Sequence, residues 1–167
     1  MNDLIFRVTV KTQLAQLNWL ITVYLAIGIL FYCLFGLSLR PPIAYIYSAV
    51  FLFDILPTLL VHVQYYRVNN GAVLDINREL HRISYITPHE TLSYNFDDIS
   101  SFVRVDSWGA GQWYSFAEYR YYKITFKDKK KIIITSLMIK DIKYVLEPML
   151  HMTAVKERRF VAFIRKR

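Results

Sequence analysis

LNWLITVYLAIGILFYCLFGLSL, the stretch Leu17–Leu39, contains no charged residue and decides how the rest of the chain is organised. Its 23 residues would form a helix of about 34 Å, longer than a bilayer hydrocarbon core of about 30 Å. A second run of equal length, Pro41–Val63, contains one acidic residue, Asp54, and begins directly after Arg40. The two prolines that open this run suit a short connection, because proline is tolerated at the start of a helix. We therefore expect two transmembrane helices in a tight α-helical hairpin.

Basic residues beside the two runs set the expected orientation of this hairpin. A hairpin places both of its ends on one side of the membrane. That side carries five basic residues against Arg40 alone in the connection: Arg7, Lys11, Arg67, Arg78 and Arg82. Because cytoplasmic loops carry an excess of Lys and Arg, we expect both termini in the cytosol.

The positive charge of the chain is concentrated after the apolar runs. The formal net charge is +8, and from Arg67 onward 18 Lys and Arg residues accompany 11 Asp and Glu residues. A basic soluble part suits nucleic acid, an acidic partner or an anionic bilayer. Attachment to a membrane favours the bilayer, since anionic lipid attracts each nearby basic side chain by roughly 1 kcal/mol. The single cysteine, Cys33, excludes an internal disulfide.

Short runs of strand-forming residues follow the apolar part. Thr91–Phe96 alternates apolar and polar residues, which predicts a half-buried strand. Asn69-Asn70-Gly71 predicts a hairpin turn, because Asn-Gly accepts positive φ at both central positions. This turn would join the first two of the strands that we expect: Gln64–Asn69, Ala72–Asn77, His81–Ile86, Thr91–Phe96, Ser101–Asp106, Tyr119–Phe126 and Lys131–Thr135.

A helix is expected after the last of these strands. Ser136 suits the N-cap position, and Pro148 would kink or end the helix. One apolar stripe runs along it, formed by Ile139, Ile142, Leu146, Met149 and Leu150. The predicted element therefore has one face for the sheet to cover.

The N-terminal segment has two interpretations. In Leu4–Lys11, the apolar residues Leu4, Phe6, Val8 and Val10 recur with a period of two. This period favours a strand that is added to the sheet. The alternative is a frayed, amphipathic lead-in to the first membrane helix.

Several of these segments together resemble the bacterial pleckstrin-homology-like (PH-like) domain. They are the Asn70-Gly71 turn, Phe96-Asp97-Asp98-Ile99, the hairpin ITFKDKKKIIITS and the helix from Ser136. The resemblance covers Tyr65–Met152, and such a domain often follows two membrane helices in small bacterial proteins. It implies an α+β fold, in which a strongly bent antiparallel sheet is capped by a C-terminal helix, and it implies no catalysis.

These observations divide the chain into four parts. We expect an N-terminal segment at 1–16, a two-helix transmembrane hairpin at 17–63, a PH-like domain at 64–152 and a basic amphipathic tail at 153–167. The resulting protein would be a multi-pass protein of a bacterial inner membrane.

Asp54 is the first candidate site residue. It lies within the second apolar run, where an ionised carboxylate costs several kcal/mol unless it is paired or protonated. One interpretation is a partner-binding or proton-linked site. The other is a neutral Asp that holds the hairpin together by hydrogen bonds to Tyr24, Tyr32, Tyr47 or Ser48. Pro57 would free backbone carbonyls nearby and kink the helix.

Two further segments are candidate interaction sites. Asp106–Glu118 holds Trp108, Trp113, Tyr114 and Phe116 around two glycines. It forms either a loop that enters the bilayer interface or grips a partner, or the start of a strand that fills the core. The tail lies either on anionic lipid or free in solvent. The contacting residues would be Arg158, Arg159, Phe160, Phe163, Arg165, Lys166 and Arg167.

No enzyme signature accompanies these sites. The four His residues lack metal-ligand spacing, and the sequence has no phosphate-binding glycine loop and no nucleophile elbow. We therefore expect no catalysis, no cofactor, no metal, no small-molecule substrate and no nucleic acid. The expected partners are the lipid bilayer and either a membrane or cytosolic protein or further copies of the chain.

The preferred function is a non-enzymatic adaptor or regulatory subunit of a bacterial inner-membrane assembly. Two alternatives remain open. One is an immunity or defence factor that neutralises a membrane-targeting toxin. The other is a transport-associated subunit that uses Asp54.

Overall fold

Two four-stranded sheets and two long helices are the main elements of the part of the chain that the structure, a computed structural model, describes. The described residues are 3–35, 45–46, 49–108, 114–140, 144–145, 147–148 and 153–164. The expectation of one strongly bent sheet is therefore replaced by two sheets that enclose a common core. Antiparallel sheets combined with helices nevertheless match the expected α+β architecture.

The first sheet is a simple antiparallel meander in the order β1-β2-β3-β4. Its strands are β1 (Asp3–Arg7), β2 (Val73–Asn77), β3 (Arg82–Ile86) and β4 (Thr91–Asn95). The N-terminal segment thus forms a strand, with Phe6 opposite Leu74 on β2. The apolar part of the chain therefore connects, in sequence, two strands that are neighbours in the same sheet.

The second sheet has the order β7-β6-β5-β8. Its strands are β5 (Ile99–Ser107), β6 (Arg120–Phe126), β7 (Lys131–Thr135) and β8 (Val155–Arg159). β8 runs parallel to β5, with Val103 opposite Val155 and Ser107 opposite Arg159. Val155–Arg159 is therefore a strand whose backbone groups pair with the edge of β5 rather than a free terminus, and the contact of the tail with lipid stays a prediction.

The main core lies between the two sheets. Alternate residues of β2, β3, β5, β6 and β7 point into it, as the period of two along a strand requires. Its most buried members are Leu74, Ile76, Ile83, Phe102, Tyr122, Ile124, Phe126, Ile132 and Ile134. A second apolar cluster covers the opposite face of the second sheet and contains Val61, Tyr65, Val105, Tyr119, Tyr121, Leu137, Ala162 and Ile164.

Two helices carry the apolar part of the chain. α1 spans Val10–Phe35, and α2 spans Leu56–Asn69 directly after a π-helical turn at Phe51–Ile55. Pro57 lies in the first turn of α2, where its missing N–H costs little. Within the described residues, no unbroken helix is both long and apolar enough to cross a membrane. Val10–Asn18 and Leu20–Leu30, bent by 46°, meet the length and composition requirements only as a pair.

The predicted strand Gln64–Asn69 is wrong, because these residues are the last part of α2. Val61, Tyr65 and Asn69 recur every four residues and are all completely buried against the second sheet. The second sheet therefore covers one stripe of a helix and not the alternate side chains of a strand. Gly71 adopts φ +72° and ends the helix, so the Asn-Gly pair acts as a helix stop and not as a hairpin turn.

The C-terminal helix does not begin at Ser136. The Ser136 backbone N–H donates to the Arg120 carbonyl, and the Met138 N–H donates to Thr135 in a turn. Residues 136–139 are buried, with Met138 and Ile139 in the main core and Leu137 in the second cluster. Residues 144–145 and 147–148, including Pro148, are helical. Ile142, Leu146, Met149 and Leu150 lie outside the described residues.

Candidate functional site

Asp54 connects the apolar part of the chain to the second sheet. Its Oδ2 accepts hydrogen bonds from the Tyr24 hydroxyl at 2.7 Å and from the Ser115 hydroxyl at 3.0 Å, and its Oδ1 accepts one from the Ser115 N–H at 2.7 Å. The Thr58 hydroxyl donates to the Asp54 carbonyl at 2.6 Å. We call Tyr24, Asp54, Thr58 and Ser115 the junction. Both carboxylate oxygens of Asp54 are therefore engaged.

A short 3₁₀ turn, Ser115–Glu118, presents Ser115 to this carboxylate. The buried Ser107 hydroxyl at the end of β5 lies 3.0 Å from the Phe116 carbonyl and 3.3 Å from the Tyr119 carbonyl, and it accepts the Ala162 N–H. The Gln16 side chain of α1 donates to the Glu118 carbonyl at 3.2 Å. The turn is thus held by β5, by the C-terminal segment and by α1.

Polar contacts also fasten α2 along the second sheet. The Gln64 amide makes two bonds to the backbone of Ile164, donating to its carbonyl at 2.8 Å and accepting its N–H at 2.9 Å. The buried Tyr65 hydroxyl donates to the Ala162 carbonyl at 2.8 Å. Burial raises the pKa of Tyr65, so this hydroxyl keeps its proton and remains a donor. The helix therefore cannot swing relative to the sheet without breaking buried bonds.

A fully buried asparagine fixes the other end of α2. The Asn69 Nδ2 donates to the Ile133 carbonyl at 2.8 Å and to the Tyr85 hydroxyl at 2.9 Å. Its Oδ1 accepts the Thr135 N–H at 3.0 Å. Asn69 thus joins the helix to β3 and to β7 at once.

The predicted aromatic loop divides into two groups. Phe116 is buried at 2% exposure and fills the core, whereas Trp108 and Tyr114 are 70% and 48% exposed. Tyr114 stacks on Phe116 with ring centroids 5.2 Å apart, and Phe160 lies 6.0 Å from Phe116. Trp113 lies outside the described residues. Phe116 therefore contributes to the core, while an interaction role for the exposed Trp108 and Tyr114 stays a prediction.

The basic residues predicted in the tail also divide. Arg158 and Phe160 are exposed, whereas Arg159 is half-buried, with a bond to the Phe163 carbonyl and one to Glu157. Phe163 is exposed beside the buried Ala162 and Ile164. Arg165, Lys166 and Arg167 lie outside the described residues.

A cleft of about 510 Å³ opens between α2, the outer face of the second sheet and the C-terminal segment. Val68, Val103, Tyr121 and Ile133 form part of its apolar floor, and its charged lining residues are Lys123, Lys131, Glu157 and Arg159. Three cations against one carboxylate suit the binding of an acidic group. Among the described residues, no group of His, Cys, Asp or Glu side chains is placed to hold a metal ion.

Sequence reasoning identified part of the junction and missed the rest. Tyr24 was one of four predicted partners of Asp54, while Tyr47 and Ser48 lie outside the described residues. Ser115, 61 positions away in sequence, was not predicted. No local pattern marks it, because its role depends on the turn that Ser107 and Ala162 hold in place.

A family model described as a PH domain matches residues 5–144, which is most of the chain. The match begins within β1 and therefore includes part of that strand, both helices and strands β2 to β7. Comparisons with curated proteins and with solved structures find no match. The two sheets, the helix on the outer face of the second sheet and this match lead to one conclusion: the chain belongs to the PH-domain family.

Proposed function

We propose that this protein is a membrane-anchored, non-enzymatic adaptor or regulatory subunit of a bacterial inner-membrane assembly. The observation that carries the proposal is the junction, where Asp54 of the apolar part accepts bonds from Tyr24 and from Ser115 of the sheet domain. A domain fixed to its anchor in this way presents its surface to a partner in one orientation. Such preorganisation lowers the entropic cost of binding.

Exposed apolar side chains beyond the junction support the membrane part of the proposal. Large exposed apolar patches are rare on soluble proteins, and they mark contacts with lipid or with another protein. The exposed residues include Leu25, Ile29, Leu30, Tyr32, Tyr45, Ile46, Leu52 and Phe53. We infer that lipid covers them.

The basic cleft beside α2 is the surface that we propose for the partner. Lys123 and Lys131 lie on neighbouring strands, with Lys123 opposite Ile133, and both line the cleft. An acidic segment of another protein of the assembly matches this lining in charge. The apolar floor would bury an adjoining side chain of the same segment.

Purification of the tagged full-length chain from native membranes tests this proposal. We expect the wild-type chain to stay with the membranes through alkaline carbonate washing and to retain a stoichiometric partner. Lys123→Glu combined with Lys131→Glu should lose the partner but stay in the membrane. Lys127→Glu, an exposed lysine in the β6–β7 turn, is the matched control.

Two outcomes would contradict the proposal. A chain that carbonate releases has no membrane anchor. A chain that stays in the membrane without any stoichiometric partner is not an adaptor. If the partner is a membrane-targeting toxin, the immunity alternative replaces the adaptor function. The transport alternative requires Asp54 to be accessible to a transported ion, whereas hydrogen bonds to Tyr24 and Ser115 occupy both of its carboxylate oxygens.

A further inference from the structure

The chain beyond the junction is too short to span a bilayer by itself. Residues 25–39 and 41–53 lie between Tyr24 and Asp54, on either side of Arg40. As helices, which satisfy their own backbone hydrogen bonds in lipid, arms of 15 and 13 residues would reach only about 22 and 20 Å, against a hydrocarbon core of about 30 Å. Arg40 is most stable at the far headgroup layer, because a guanidinium inside the hydrocarbon is costly.

The apolar outer surface continues past the junction on the domain side. On α2 it includes Leu56, Leu60 and Val63, which are 37%, 53% and 46% exposed, and it ends at the exposed Arg67. On α1 it continues to Leu14, which is 55% exposed. Val63 lies nine residues beyond Asp54, so this surface extends about 13 Å along the helix. The apolar surface beside the domain therefore supplies the length that the chain beyond the junction lacks for crossing the hydrocarbon core.

Exposed aromatic side chains lie next to the residues that form and hold the junction. Tyr114 directly precedes the Ser115 that binds Asp54, and Trp108 directly follows the Ser107 that holds the turn. Phe160 reaches the same turn through Phe116. We call Trp108, Tyr114 and Phe160 the aromatic rim. Trp and Tyr are enriched at membrane interfaces, where one end of the ring is apolar and the other is wet.

We propose that the aromatic rim is immersed in the headgroup layer of the leaflet that the hairpin enters, so that lipid is the partner of this surface. The proposal rests on the membrane anchoring in the proposed function. Immersion places Arg40 near the opposite headgroups and covers the apolar outer face of α2. It also brings the exposed Arg158, opposite Asp106 in the sheet, to the level of lipid phosphates.

Site-directed spin labelling of the full chain in anionic proteoliposomes tests the rim. On a Cys33→Ser background, single cysteines replace Trp108, Phe160 and, as the control, His89. All three positions are exposed. His89 lies in the turn next to Pro88, whose ring lies beside Gly71, just past the end of α2 and about 21 Å from the start of that helix. A fourth sample carries the label on the native Cys33.

We expect labels at positions 108, 160 and 33 to show a higher ratio of oxygen to nickel-chelate accessibility than the label at 89. If positions 108 and 160 match position 89 while Cys33 keeps a high ratio, the rim faces water and only this inference fails. If both reagents are excluded from 108 and 160, a protein covers the rim, which also overturns it. If Cys33 matches position 89 as well, the membrane anchoring itself fails.

Discussion

The Asp54 carboxylate accepts hydrogen bonds from three donor groups, so substitutions of this single residue test the junction. We expect Asp54→Leu to lower the free energy of unfolding by roughly 1–3 kcal/mol, because the Ser115 N–H loses its acceptor. Asp54→Asn should cost less, since its amide oxygen still accepts that N–H and the two hydroxyls can rotate to accept from its NH₂ group. Denaturant unfolding of the full chain in detergent measures both. Equal losses would show that the negative charge is required.

Asn69 is a second residue whose substitution has a clear expected result. Asn69→Ala leaves the Ile133 carbonyl and the Thr135 N–H without their partner, which should cost roughly 2–4 kcal/mol. Asn70→Ala is the matched control, because Asn70 is exposed and has φ −64°, which alanine adopts freely. It should change stability by less than about 0.5 kcal/mol. Similar losses in the two variants would contradict a structural role for Asn69.

Roles that arise within one segment of the chain could be predicted, whereas roles that depend on a distant segment could not. Tyr24 was a foreseeable partner of Asp54, because two adjacent apolar helices bring polar side chains of the same segment together. Ser115 was not, since a contact over 61 positions leaves no pattern in sequence. Asn69 was misinterpreted because Asn-Asn-Gly fits a hairpin turn, and only the buried stripe of α2 reveals the helix.

At the scale of elements, β1 should contribute measurably to the sheet. Phe6 packs partly buried against the main core, whereas the adjacent Ile5 is 65% exposed on the other face. We expect Phe6→Ala to cost about 2 kcal/mol through lost apolar burial, and Ile5→Ala to cost less than about 0.5 kcal/mol. Thermal unfolding of the two variants side by side measures the difference. Equal effects would mean that β1 does not pack as the structure places it.

Most strands were predictable because their alternation is local. Lys131–Thr135 was predicted with its observed bounds, and Thr91–Phe96 differs from β4 by one residue. β8 was missed because VKERR has no apolar alternation, and four of its five residues are exposed at the edge of the sheet. Its pairing depends on the free edge of β5, which only the folded molecule provides.

At the scale of the whole molecule, the pairing of β1 with β2 constrains the membrane topology of a hairpin that lies between them in sequence. These strands flank the apolar part of the chain, so both ends of a membrane hairpin must lie on the same side. We expect reporter fusions at the N- and C-termini to give the same result, and the excess of basic residues predicts the cytosolic side. Termini on opposite sides would contradict the first sheet as a unit.

The same pairing sets an order of events during synthesis on the ribosome. β1 is completed at Arg7, but its partner strand ends at Asn77, 70 residues later. At about 5–20 residues per second, β1 waits roughly 4–14 s for that partner. Under the proposed membrane anchoring, the apolar run that begins at Leu17 is translated within this interval and reaches the membrane insertion machinery while the sheet is still incomplete. The proposal therefore implies that insertion precedes domain folding, and that a nascent chain delayed in targeting would leave β1 as an unpaired edge open to aggregation.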